Sequence, residues 1–138
     1  MVEYRNVVDM KRPVVRSVII ADDDRLTRSI LRSVLTRAGY SILGEAETGL
    51  KTAVLYEEHH PDILLLDIDM PGGSGITILR LIREMDRNAR VIMLTGDTTP
   101  KTVSVALRLG AKDYVSKSSG EERLLTAIRK TLGQEDSS

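Results

Sequence analysis

Ile63-Leu64-Leu65-Leu66-Asp67 runs on into Ile68-Asp69-Met70-Pro71-Gly72-Gly73-Ser74-Gly75, an apolar run that ends in an acid and then in a turn. Four consecutive aliphatic residues leave no polar face, so a strand built from them is buried on both sides, as in parallel sheets covered by helices. The same plan recurs along the chain. Val18-Ile19-Ile20-Ala21 precedes Asp22 and Asp23, Val91-Ile92-Met93-Leu94 precedes Thr95, and the shorter Tyr114-Val115-Ser116 precedes Lys117. In open parallel sheets, ligands bind beyond the carboxyl ends of the strands, near the point where strand order reverses. One fold therefore gathers all of these polar groups at one edge.

Helix-length segments separate the runs. After a strand at Ser17–Asp22, the spacing of Leu26, Ile30, Leu31, Val34 and Leu35 predicts a helix over about Arg25–Ala38, stopped by Gly39. Ser41–Ala46 is a more polar strand that suits a sheet edge. Thr48 can cap a helix to about Glu58, which His59-His60-Pro61 breaks. After the strand Ile63–Asp67 and its glycine-rich turn, a helix from about Gly75 to Met85 puts Ile78, Leu79 and Ile82 on one face. Thr99 and Pro100 open the next helix, which ends at Leu109-Gly110. Ser118 with Glu121, or Ser119 with Glu122, reads as a capping box for a last helix that carries Leu124, Leu125, Ile128 and Leu132. Five strands alternating with five helices, joined by right-handed crossovers, make a doubly wound α/β/α sandwich. The most apolar strands belong inside, which fits the flavodoxin-like order 2-1-3-4-5 with its switch point between the first and third strands. Residues 1–16 read as an extension before the domain and residues 134–138 as a polar tail.

Composition narrows the class. The 138 residues fit one domain, and 20 basic against 20 acidic residues leave no overall basic footprint for nucleic acid or for a membrane surface. Without cysteine there is no disulfide and no thiolate metal site, and no apolar stretch approaches the roughly 20 residues of a membrane span. With neither Phe nor Trp, the core must come from Leu, Ile, Val and Ala.

Carboxylates gathered at one strand edge repel each other unless a cation relieves them. Magnesium suits such a place because it takes oxygen ligands, keeps several waters and favours carboxylates together with phosphate oxygens. Asp67, alone at its strand end, can act as a nucleophile that accepts a phosphoryl group as an acyl phosphate. Phosphoryl transfer asks mainly for positioning and neutralised charge, which a divalent ion, the Lys117 ammonium and the Thr95 hydroxyl supply. Taken singly these residues have plainer readings: Asp23 or Asp24 as a helix cap, Thr95 and Asp97 as turn residues, Lys117 as a solvated lysine, and Tyr114 as edge-strand packing. His59 and His60 at a helix end carry no chemistry in this reading.

In combination, V-I-I-A-D-D-D, P-D-I-L-L-L-D-I-D-M-P-G-G-S-G, V-I-M-L-T-G and G-A-K-D-Y-V-S-K resemble the receiver domain of bacterial two-component response regulators, over residues 17–133. The resemblance implies a phosphoacceptor at Asp67 and an acidic pair at Asp22 and Asp23, with Asp23 the direct magnesium ligand. The backbone carbonyl of Asp69 would be a further ligand. It implies a switch hydroxyl at Thr95, a switch aromatic at Tyr114 and a phosphate-binding lysine at Lys117. Three positions depart from the pattern or bear on its tuning. Ser118 stands where many receivers have a proline on a cis bond. Asp69 and Asp97, two residues after the acceptor and after the threonine, lie where the family tunes phosphoryl lifetime.

The implied protein is a cytoplasmic signalling switch rather than an enzyme, catalysing at most its own phosphorylation and dephosphorylation. Its implied partners are a sensor histidine kinase or phosphotransfer protein, and a downstream effector or C-terminal output domain. A homodimer through the last helices is compatible with it, whereas direct nucleic-acid binding and membrane contact are not expected. Two other readings compete. The D-I-D stretch resembles the nucleophile motif of haloacid-dehalogenase-like phosphatases, although there the acidic pair usually follows the lysine and a cap covers the substrate. A receiver-like module that binds partners without phosphorylation is the other.

Overall fold

The computed structural model describes residues 15–134. Residues 1–14 and 135–138, which hold most of the expected extension and tail, lie outside the described residues. Five strands form one parallel sheet: β1 (Ser17–Ala21), β2 (Ser41–Ala46), β3 (Ile63–Leu66), β4 (Val91–Thr95) and β5 (Asp113–Ser116), in the order β2-β1-β3-β4-β5. Between and after them come α1 (Arg25–Arg37), α2 (Gly49–His59), α3 (Gly75–Met85), α4 (Pro100–Arg108) and α5 (Glu121–Leu132). The fold is the expected doubly wound sandwich.

Strand composition explains the order. β1, β3 and β4 are almost wholly apolar and buried, so they occupy the centre, while β2 and β5 keep partly exposed residues at the two edges. Alternation along the strands divides the core in two. Ile19, Leu64, Leu66 and Met93 pack with Leu79 and Ile82 on one face, and Val18, Ile20, Leu65 and Ile92 pack with Leu35 and Ile128 on the other. The first layer holds side chains from α2, α3 and α4, the second from α1 and α5. Among the described residues no helix is long and apolar enough to cross a membrane.

Local chemistry sets most helix starts. Asp24 accepts the Thr27 N–H (3.2 Å), Thr48 accepts from Lys51 (3.1 Å) and Ser74 accepts from Ile76 (3.1 Å). Two expected caps are not formed. The capping box at Ser118 or Ser119 is absent, because Lys117–Ser119 is a short 3-10 turn in which Ser119 Oγ donates to the Ser116 carbonyl (2.6 Å). Gly120 occupies the cap position of α5 instead. Thr99 stands at the cap of α4, but its hydroxyl bonds Asp97 Oδ1 (3.0 Å) and Thr102 Oγ1 (2.8 Å) rather than a backbone N–H. Leu26 and Ile30, expected on the buried face of α1, are 67% and 54% exposed. Leu31, Val34 and Leu35 are the buried residues of α1.

Candidate functional site

The site lies where β1 and β3 diverge toward separate helices. The Asp22 N–H bonds the Ala46 carbonyl of β2 (2.9 Å), and the Asp67 N–H bonds the Ala21 carbonyl of β1 (3.0 Å), so both acids sit on the last rungs of the sheet. Asp22 is 2% exposed and Asp67 3%, while Asp23 faces solvent. One carboxylate oxygen from each of the three lies within 4.8 Å of the others.

The backbone beyond β3 is folded tightly beneath Asp67. The Gly75 N–H bonds the Ile68 carbonyl (2.8 Å), and a Cβ on Gly75 would run into the Asp67 carbonyl oxygen and the Ile68 Cα. Only glycine lets the start of α3 approach the loop after Asp67 so closely. The Asp69 N–H turns back to Asp67 Oδ1 (3.3 Å), and the Asp69 side chain is exposed.

Lys117 reaches across from the far edge. Its Nζ donates to Asp67 Oδ2 (2.8 Å) and lies 2.7 Å from Asp22 Oδ2. The one ammonium thus contacts both buried carboxylates. Burial raises the Asp22 carboxyl above the usual carboxylate range. Lys117 and the Asp24 N–H oppose that shift in part, and the Asp67 charge adds to it. Burial also works against the charge on Lys117, but the two carboxylates outweigh it and the ammonium titrates higher than an ordinary lysine. Two nearly buried acids therefore share one cation.

Thr95, fully buried at the end of β4, accepts the Asp97 N–H at its hydroxyl (3.3 Å). Tyr114 on β5 donates its hydroxyl to the Asp97 carbonyl, which holds the β4–α4 loop against the edge strand. Burial pushes the Tyr114 phenol up to about 12, with the charges of Asp97, Asp69 and Asp67 adding to it. Every peptide bond among the described residues is trans, the one before Ser118 included.

The sequence reading missed Arg28. From the first half of α1 its Nη1 donates to the Asp22 carbonyl (2.6 Å), and its Nε lies 3.4 Å from Glu45 on β2. An arginine on an amphipathic helix looks like any solvated charge, so no local signal marks it.

The donor set suits a small hard cation. All the candidate ligands are oxygens, two of the acids are buried, and one lysine is the sole cation set against the three carboxylates among the described residues. Asp22, Asp23 and Asp67 are the residues that could hold such an ion.

The chain matches the response regulator receiver domain family over residues 18–129. It is 37% identical over 115 residues to the chemotaxis protein CheY of Bacillus subtilis, covering 83% of this chain and 96% of that one. Among solved structures, the two-component response regulator of the LuxR family from Aurantimonas sp. SI85-9A1 superposes with a TM-score of 0.83 at 32% identity, over 88% of each chain. A chain of the CheX-CheY-BeF3-Mg+2 complex from Borrelia burgdorferi does so at 0.83 and 34%, over 89% of this chain and 92% of that one. A parallel sheet in the order 2-1-3-4-5, an acid trio at its switch point and a lysine spanning two of those acids agree with these likenesses, and the chain belongs to the response regulator receiver domain family.

Proposed function

We propose that the protein is a phosphorylation-dependent switch in which Asp67 accepts a phosphoryl group from a sensor histidine kinase or a phosphotransfer protein. The observation that carries this is the position of Asp67: buried, touched by Lys117 and within 4.8 Å of two further carboxylates. A carboxylate oxygen of Asp67 bonds to phosphorus as the nitrogen–phosphorus bond of the donor's phosphohistidine breaks. The electron pair leaves on the imidazole nitrogen. Bound at Asp22, Asp23, Asp67 and the Asp69 carbonyl, magnesium would offset the charge of the phosphoryl oxygens.

The remaining steps belong to the chain itself. Lys117 holds Asp67 in place before transfer and a phosphoryl oxygen afterwards. Thr95 gives up the Asp97 N–H and turns its hydroxyl to the phosphoryl group. The β4–α4 loop then follows, and Tyr114 loses or keeps its bond to the Asp97 carbonyl accordingly. That is a shift between two populations, and the surface of α4, β5 and α5 is what a downstream effector or an output domain would read. The unit that does this is residues 17–133. The donor docks on α1, where Leu26 and Ile30 are exposed beside a groove of about 300 Å³ that is walled by Leu31, Val34 and Leu124 and reaches Lys117. The reading requires a compartment that holds ATP-charged donors, which is the cytoplasm.

Intact mass after incubation with acetyl phosphate and magnesium tests the reading. One added phosphoryl group in the native protein and none in Asp67→Asn is the expected result. Equal labelling of both proteins, or steady phosphate release from many esters, would overturn it. Receiver-family membership gives the haloacid-dehalogenase-like alternative no support.

A further inference from the structure

At the opposite end of the sheet from the acid trio, the second half of α3, the turn after it and the end of α4 line an open depression of about 440 Å³. Its wall carries four arginines, Arg80, Arg83, Arg87 and Arg108, and one acid, Glu84. In a chain whose formal charges cancel, this is a strong local excess of cations.

Two observations separate it from an ordinary charged surface. Arg83 is built into place: its Nη1 donates to the Arg87 and Ala89 carbonyls, and its guanidinium lies flat over Gly110. Gly110 has φ +103, and a Cβ there would stand 2.5 Å from Arg83 Nε, so the glycine makes room for the guanidinium. Arg80, Arg87 and Arg108, by contrast, have no side-chain hydrogen bond or ion pair among the described residues. Elsewhere among the described residues most arginines do find acids, Arg16 with Asp62, Arg28 and Arg32 with Glu45, Arg123 with Asp113, while Arg25 and Arg90, which have none, stand apart from one another in the chain. Cations near helix C-termini complement the helix dipole. Arg83 is taken up by the Arg87 and Ala89 carbonyls of the loop after α3, and three further arginines exceed what the helix dipoles need.

We propose that this depression binds a small phosphate-bearing anion, of the size of a diphosphate or a nucleotide's phosphate chain. Guanidinium groups match phosphate oxygens in paired, planar contacts. A diphosphate concentrates several charges within a few ångströms, which suits a bowl. Nucleic acid needs a stripe that tracks successive phosphates. An acidic peptide spreads its charge along flexible stems.

Calorimetric titration of the full chain with inorganic pyrophosphate, in EDTA at fixed ionic strength, tests this without metal at the acid trio. Saturable one-to-one binding is expected, weakened at least about tenfold in Arg80→Ala/Arg108→Ala, the effect of losing roughly two charge-assisted contacts. Arg25→Ala/Lys130→Ala removes the same charge elsewhere and should leave the affinity unchanged. Equal weakening in both double variants would reduce the effect to net charge and overturn the proposal. So would the absence of saturable binding, or binding of an acidic peptide or a DNA duplex at these arginines where pyrophosphate fails. Circular dichroism of the variants confirms that they fold, as expected for exposed side chains without partners.

Discussion

Lys117 neutralises two nearly buried carboxylates at once, so the acid pair depends on it. Removing one partner of a buried ion pair typically costs about 3–5 kcal/mol, and here the lysine is partly solvated, so Lys117→Ala should cost about 2–3 kcal/mol in urea unfolding without metal. Magnesium should restore most of that. Taking away a competing positive charge also means that Lys117→Ala should bind magnesium several-fold more tightly while accepting phosphoryl groups more slowly. A variant that binds the ion more weakly would show that the lysine shapes the acid cluster rather than competing with a metal. Gly75 gives a second residue-scale prediction. Gly75→Ala forces the loop after Asp67 to move, so it should lose about 1–3 kcal/mol, as overpacking does, and lower magnesium affinity together with stability. Unchanged magnesium titration would mean that the loop relaxes away from Asp67. The residue types at the site were legible because each follows a strand. Arg28 was not, because a bond to a backbone carbonyl six residues away leaves no pattern in the chain.

At the level of elements, hydrophobic pattern placed all five strands and helices to within a residue or two, because buried parallel strands and amphipathic helices each have a distinct period. Failures came where two local chemistries compete. Ser118 and Ser119 stand three residues ahead of glutamates and look like caps, yet the 3-10 turn that delivers Lys117 takes up Ser119, and α5 begins on Gly120. Leu26 and Ile30 keep helical spacing, but periodicity cannot tell a core face from an apolar face left exposed. Tyr56 shows a tie between elements that sequence does not announce. Buried on α2, it donates its hydroxyl to Asp86 just past α3 (2.8 Å). This bond is the chief cause of the lowered Asp86 carboxyl, with the Asn88 N–H assisting, and burial raises the Tyr56 phenol. A depressed folded-state carboxyl contributes stability that is complete above its unfolded value of 3.8 and is lost as pH falls through the lower folded value. Tyr56→Phe should therefore cost about 1–2 kcal/mol at neutral pH, the worth of a bond to a charged group. Its gap to the native protein should close as Asp86 protonates at acid pH. A gap that stays constant with pH would assign the loss to packing. Arg28 links elements in the same way, joining α1 to Glu45 and to the Asp22 carbonyl. Arg28→Ala should weaken magnesium binding about tenfold, the low end of what losing a hydrogen bond behind a metal ligand costs. Glu45→Gln should do less, since it leaves the carbonyl contact intact.

For the whole molecule, the fold sends the three acids to one end of the sheet and the arginine-lined depression to the other, although the summed charge is zero. Composition hid this polarity; only topology, which turns every helix end away from the strand ends, reveals it. The acid end sets a cost on the folded state, because the raised Asp22 carboxyl means that its charged form is held unwillingly. A cation that binds the assembled trio and not the unfolded chain draws the equilibrium toward the fold, since the three acids come together only when β1 and β3 pair. At a concentration of about one hundred times the dissociation constant, that linkage is worth roughly 2.7 kcal/mol. For a domain of this size it should raise the thermal midpoint by about 10 °C. Sodium chloride at matched ionic strength should give little of this, because it screens the acids without entering between them. Asp67→Asn should keep its fold and lose most of the magnesium-dependent gain. If magnesium and sodium raise the midpoint equally, or if Asp67→Asn gains as much as the native chain, the ion is not seated among Asp22, Asp23 and Asp67, and the phosphoryl chemistry assigned to that end of the sheet loses its cation.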